Sequence, residues 1–269
     1  MSFNIYMIRG GTFGFDFNIK LIITIVTLLI CIYDWRTKKR KDYFYIFIIG
    51  TIFWVCVETV LQLVGTRDMG TNYLFGIEIP LLVSIPLQAV SEASFVAVLG
   101  IFIGERLLLR KKESRNRDTI EALIAVIGFI SLELITIFLI DGIKIPNVGG
   151  EVPSRRNMFT IPSITFLAIM VLIDVVWLIK TNKEFRKRGY AIIIGMLFIA
   201  ITFTLGGFLS GNRWIEVGTP LLYERAPPLI EFVALSYDAV VEITLAYVPY
   251  LAIPCFLGWI KKRDINKDT

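Results

Sequence analysis

The stretch PPLIEFVALSYDAVVEITLAYVPY, residues 227–250, is apolar enough to enter a bilayer, yet it carries Glu231, Asp238 and Glu242. A carboxylate at the centre of a lipid-spanning helix costs at least ~2.5–3.5 kcal/mol on insertion scales. Separations of seven and four residues place all three acids on one stripe of a helix. Three such residues on one face need partners, and the rest of the chain has to supply them.

The chain as a whole reads as a membrane protein. It is 55% hydrophobic with a mean hydropathy of +0.69, oilier than the roughly 45–50% apolar content of soluble domains. Its apolar residues come in seven blocks, at 15–34, 43–64, 79–104, 119–140, 161–180, 189–209 and 229–260. Blocks of about twenty residues are what a hydrocarbon core of ~30 Å demands of a helix. The polar stretches between them leave no room for a soluble domain. The expected fold is an all-α membrane protein of seven transmembrane helices, forming a single transmembrane domain over residues 1–269. A transmembrane β-barrel does not fit, because the blocks lack strict alternation.

The basic residues orient it. The segments 34–42, 105–118, 180–188 and 261–269 hold five, six, five and four Lys or Arg, so 20 of the 28 fall on one side of the spans. The positive-inside rule makes that side cytoplasmic, with the N-terminus outside and the C-terminus inside. The net charge of +5 therefore reports topology and attraction to anionic lipid, not a nucleic-acid site. The first block lacks a small-residue cleavage site and reads as a retained span. Cys31, Cys56 and Cys255 all fall within spans, so no external disulfide framework is expected. The expected location is the cell membrane.

One internal similarity stands out. YIFIIGTIF (45–53) aligns with YAIIIGMLF (190–198), matching Gly50 to Gly195. Each is followed by a Gly-x-Arg, ending in Arg67 or Arg213, then by a proline and a span carrying Glu92 or Glu242. The pattern suggests parallel repeats at 15–109 and 161–263 joined by a linker span at 119–140, a 3+1+3 plan of the kind that builds carriers around a central site.

The acids converge on this plan. On the third span Ser84, Gln88 and Glu92 repeat every four residues, and on the second Thr51, Trp54, Glu58 and Gln62 form a weaker stripe. At 1.5 Å per residue, Glu92 and Glu242 lie roughly 20 Å deep, Glu133 roughly 12 Å and Glu58 roughly 9 Å; Asp174 on the fifth span is also deep. Polar stripes on spans 2, 3 and 7 should face one another rather than lipid. They would enclose an acid-rich cavity opening outward, or else serve as hydrogen-bonded clasps between helices. Arg67, Arg213 and Arg225 at the outer ends read equally as counter-ions at its mouth or as interfacial arginines reaching water. The mixed charges of RWIEVGTPLLYERAPP (213–228) suggest a folded cap.

Absences narrow the chemistry. There is no histidine, which removes zinc and haem sites that need one. Span 7 has no lysine at its core for a retinal Schiff base, and no phosphate-binding glycine loop is present. Carboxylates alone suit a hard divalent cation, a proton or an organic amine. Two readings follow, with membrane lipid and a small-molecule or lipid substrate as the partners. The first is a secondary carrier for a cationic or proton-coupled solute, with Glu58, Gln88, Glu92, Asp238 and Glu242 binding it and Glu133 acting as a relay. The second is an intramembrane enzyme, in which Glu92, Asp238 and Glu242 do acid/base chemistry on an isoprenoid or other lipid. For the second, FGIEIPLL (75–82) and APPLIEFVAL (226–235) are slightly similar to outer connections of seven-span carotenoid cyclases and hydratases. That resemblance implies cyclase, hydratase or isomerase chemistry, but the paired adjacent acids expected of those enzymes are missing.

Overall fold

The computed structural model describes residues 4–9, 17–109, 114–136, 154–211, 213–217 and 222–261. Seven helices dominate it: α1 (Asn18–Lys38), α2 (Asp42–Leu63), α3 (Leu81–Leu108), α4 (Arg115–Ile135), α5 (Ile161–Lys180), α6 (Lys183–Ser210) and α7 (Pro228–Phe256). Six of them are long and apolar enough to cross a membrane. The exception is α4, whose described part carries Arg115, Arg117, Asp118, Glu121 and Glu133; the remainder of its apolar block, 137–140, lies outside the described residues. Large apolar side chains crowd the outside of the bundle, among them Leu82, Leu63 and Phe256, all more than four-fifths exposed. Water does not tolerate that surface on a monomer, whereas lipid does. This is the architecture of an integral membrane protein.

Local chemistry sets the ends. Thr160 accepts from the Ser163 N–H at the start of α5, where Pro162 costs no hydrogen bond. Asn182 accepts from the Phe185 N–H at 3.0 Å, which lets α6 begin directly after α5 stops at Lys180. The helices run further into the basic segments than the apolar blocks do, α1 reaching Lys38 and α6 starting at Lys183. Hydrogen-bonded helix continues past the hydrocarbon edge, and only the apolar pattern stops there.

At the centre stands α3. Its apolar stretch is 89% buried, against 22–44% for the other five apolar helices. It meets α6 at backbone distance: a Cβ on Gly104 would fall 1.6 Å from the Ala191 carbonyl oxygen, and one on Gly195 would fall 1.8 Å from that of Gly100. Gly50 brings α2 against Ser94 of α3 in the same way. Small residues that let helix backbones approach are the usual means of packing within lipid.

Seven short strands join the helices: β1 (Ile5–Arg9), β2 (Arg67–Asp68), β3 (Asn72–Leu74), β4 (Ile77–Ile79), β5 (Ser154–Asn157), β6 (Arg213–Glu216) and β7 (Tyr223–Arg225). All belong to segments on the side poor in lysine and arginine. Five of them form one antiparallel sheet in the order β2-β5-β1-β6-β7, and β3 with β4 makes a separate hairpin. The cap expected over 213–228 is thus real but larger, drawing strands from four separate segments. The connection at 141–159 contributes β5, and its first part lies outside the described residues.

Candidate functional site

Register determines what the sheet presents to the helices. Arg67 lies opposite Arg156, Arg156 opposite Met7, and Met7 opposite Arg213. Directly opposed residues share a face, so three arginines and a methionine form one row across four strands. Met7 packs with Met158 of the connection and Ala234 of α7, which identifies the row's face as the one against the bundle.

Each arginine of the row meets an acid of a helix. Arg67 Nε lies 3.4 Å from Glu58 of α2 and its Nη1 3.8 Å from Glu92 of α3. Arg156 pairs with Glu242 and Arg213 with Asp238, both on α7. At the sheet's edge Arg225 holds Glu231 through contacts of 3.0–3.3 Å, half-exposed and stacked beside Phe208. Gly211 makes room for it: its φ of +62° ends α6, and a Cβ there would touch the Arg225 guanidinium at 3.1 Å. Glu242 lies 14 residues into α7, about 21 Å along an ideal helix. For a strand arginine to reach it, the sheet must sit sunk between the helix ends.

The pairs are not equal. Burial works against charge on Arg156, but Glu242 more than offsets it and raises its pKa. Burial also dominates at Arg67, where Glu58 is too distant to compensate and the neighbouring Arg156 adds repulsion; its pKa falls. Arg67 is therefore the loosest joint of the row.

Of the three helices whose acids meet the row, α3 and α7 are irregular at those acids. Glu92 sits in a π-helical turn, Val90–Ser94, and Asp238 and Glu242 in a second, Asp238–Leu245. Such wide turns release the regular ladder and are frequent at functional positions. Pro86 precedes the first by one turn, and Pro249 follows the second. Tyr247, two residues past the second turn, donates its hydroxyl to the Glu92 carbonyl of the first at 2.5 Å. Beside them, Gln88 is fully buried with neither amide atom hydrogen-bonded, and the Trp54 indole N–H also lacks an acceptor. An aromatic run of Trp54, Phe53, Phe166, Tyr250 and Tyr247, with ring centroids 5.5–6.0 Å apart, adjoins this region between α2, α5 and α7.

Acids of the stripes on α2, α3 and α7 thus each meet an arginine of one row. Arg67 and Arg213 are buried counter-ions, whereas Arg225 pairs with Glu231 and still reaches water. Glu133 lies partly buried on α4. Among the described residues no three His, Cys, Asp or Glu side chains converge as metal ligands. Arg156 was missing from the sequence reading. Its only signal there was the Arg155–Arg156 doublet on the side poor in bases.

A second charged cluster, also not anticipated, lies at the basic end. Arg40 binds Asp34 at 2.7 Å and also pairs with Glu105. Arg188 joins Glu105 and Asp42, each at 2.7 Å. Arg106 bridges Asp34, Glu121 and the Tyr43 hydroxyl, which itself donates to Glu105. This network locks α1, α2, α3, α4 and α6 together at their basic ends, and the apolar core separates it from the arginine row of the sheet.

No protein-family model matches the chain, and neither the curated proteins nor the solved structures include one significantly similar to it.

Proposed function

We propose that this protein is a secondary carrier of the cell membrane, moving a small cationic or proton-coupled solute past the acids of α2, α3 and α7. One observation carries the reading: Glu58, Glu92, Asp238 and Glu242 each face an arginine that belongs to a separate sheet rather than to the bundle. Such a guanidinium is a tethered cation. If the sheet lifts, the carboxylates lose their counter-charge and take a cation from outside; when the cation leaves inward, the arginines return. Exchanging one cation for another keeps the buried charge balanced, which avoids the several kcal/mol that an unpaired buried ion costs. The ion-pair network at the basic end gives the other gate that alternating access requires.

In this reading α4 is the fourth of seven spans, the sheet lies outside and the basic end is cytoplasmic. The repeated plan gains support from a parallel: Arg67 reaches Glu92 and Arg213 reaches Asp238, each acid lying in a π-helical turn of the following long helix. The copies differ elsewhere, since Gly50 and Gly195 both pack on α3. Membrane lipid surrounds the protein, and a small molecule is its substrate.

The lipid-enzyme reading is favoured by the aromatic run beside the acids, which suits an isoprenoid chain. Against it, a catalytic acid must carry a proton to give away. Protonating Glu242 would leave Arg156 buried without its counter-charge, a loss of about 3–5 kcal/mol. Proteoliposomes containing the purified protein, incubated with a metabolite extract and analysed by mass spectrometry, separate the two. The carrier reading expects trapped cationic solutes and unchanged lipids. Altered lipids with no trapped solute would replace it with the enzyme.

A further inference from the structure

Only four residues of α5 are buried: Ser163, Leu167, Met170 and Asp174. They form one stripe at helical spacing, and the acid is its innermost member. Lys180 ends the helix six residues later, so Asp174 lies about 9 Å from the basic end along the axis. Its side chain is 2% exposed, and Oδ1 has no hydrogen-bond partner.

Asp174 differs from every other acid inside the bundle. The remaining fully buried acids among the described residues, on α1, α2, α3, α4 and α7, each have a lysine or arginine within 4.0 Å. Asp174 has none. The helices packed against α5 bring charged and titratable groups of their own, and none of them pairs with Asp174. Glu58 faces Arg67 and Glu242 faces Arg156. Arg188 is held by Glu105 and Asp42, and Arg186 by the carbonyls of Leu178, Ile179 and Thr181. At the start of α6, Lys183 and Lys187 are exposed and form no ion pair with Asp174, Glu184 is itself acidic, and Tyr250 and Cys255 of α7 supply no positive charge.

A carboxylate in such a place is unfavourable by several kcal/mol, whereas the neutral acid is tolerated. A leucine or asparagine would fill the volume without that conflict. We propose that Asp174 is a proton-binding site in the inner half of the membrane, and that the proton it exchanges with the basic side is the coupling ion of transport. The chemistry is reversible protonation of one carboxylate. The site itself stands on the geometry of α5, and its role in coupling rests on the carrier reading.

Infrared difference spectra of the full-length protein in lipid nanodiscs, recorded from about pH 5 to pH 9, test the site directly with the proton as probe. We expect one protonated-carboxyl band, shifted by deuterium oxide, that disappears as the pH rises and is absent in Asp174→Asn. In Asp174→Glu the band should return at a shifted position and midpoint, which keeps the test decisive if the asparagine variant does not fold. Identical titrating bands in wild type and both variants would overturn the proposal. So would an Asp174 band that persists at every pH, since a proton that never leaves is structural. A band that titrates as expected in a protein that moves no solute would sink the carrier reading and leave the proton site standing.

Discussion

Arg156 and Arg225 show how differently one kind of contact counts. Arg156 is buried against Glu242, while Arg225 is half-exposed against Glu231. Removing one partner of a buried pair strands the other charge, so Arg156→Met should lower stability by about 3–5 kcal/mol. Arg225→Met also strands a buried carboxylate, Glu231, but at a site bordering solvent, so it should cost less, about 1–3 kcal/mol. Denaturation of both variants in detergent checks the ratio. Combining Arg156→Met with Glu242→Leu should recover most of the lost stability, because an apolar pair replaces an ionic one, yet should not recover transport. At this scale the sequence was partly legible. The acids announced themselves by lying in apolar blocks, and Arg67, Arg213 and Arg225 by flanking them. Arg156 did not, because its burial depends on β5 lying between β2 and β1, a pairing between segments almost ninety residues apart or more. The arginines of the basic end were legible as topology alone, since nothing local tells Arg106, which is buried, from the basic residues of its loop.

Among the elements, the helices followed from their apolar blocks and the sheet did not. Strands of two to five residues carry too little alternation to be read, and their partners come from four distant segments. The sheet is nevertheless the element on which the carrier reading turns, because it holds the counter-ions. Met158 and Ala234 pack in one cluster between sheet and α7. With Cys31, Cys56 and Cys255 replaced, a crosslink between Met158→Cys and Ala234→Cys should lock the two together, stop uptake and release it on reduction. Unchanged uptake in the crosslinked protein would mean that the sheet does not move. The α3–α6 contact gives an independent test of rigidity. Gly195→Ala puts a methyl group 1.8 Å from the Gly100 carbonyl oxygen, and over-packing of this kind typically costs 1–3 kcal/mol or more; thermal denaturation should register it even though no charged residue changes.

For the whole molecule, two charged layers, a sunken sheet at one end and a helix-end network at the other, enclose an apolar middle built around α3. The proposed orientation makes a simple prediction. In a cysteine-free background, Thr71→Cys should react with an impermeant reagent added to intact cells, and Ser114→Cys only after permeabilisation. Labelling of Ser114→Cys from outside would invert the molecule and place the sheet in the cytoplasm.

The central claim is that the acids facing the sheet bind and release a cation during transport, with Glu242 foremost among them. Glu242→Gln keeps the shape of the side chain and its capacity to hydrogen-bond, and removes only its charge. The deciding measurement is the initial rate at which proteoliposomes take up the solute they trap, compared between wild type and Glu242→Gln at matched protein content. The account predicts that uptake by the folded fraction of the variant falls to the level of protein-free vesicles, a loss beyond the about 3–5 kcal/mol of stability that stranding Arg156 costs. Uptake at the wild-type rate would contradict it, and would reduce the carboxylates under the sheet to clasps that hold helices together.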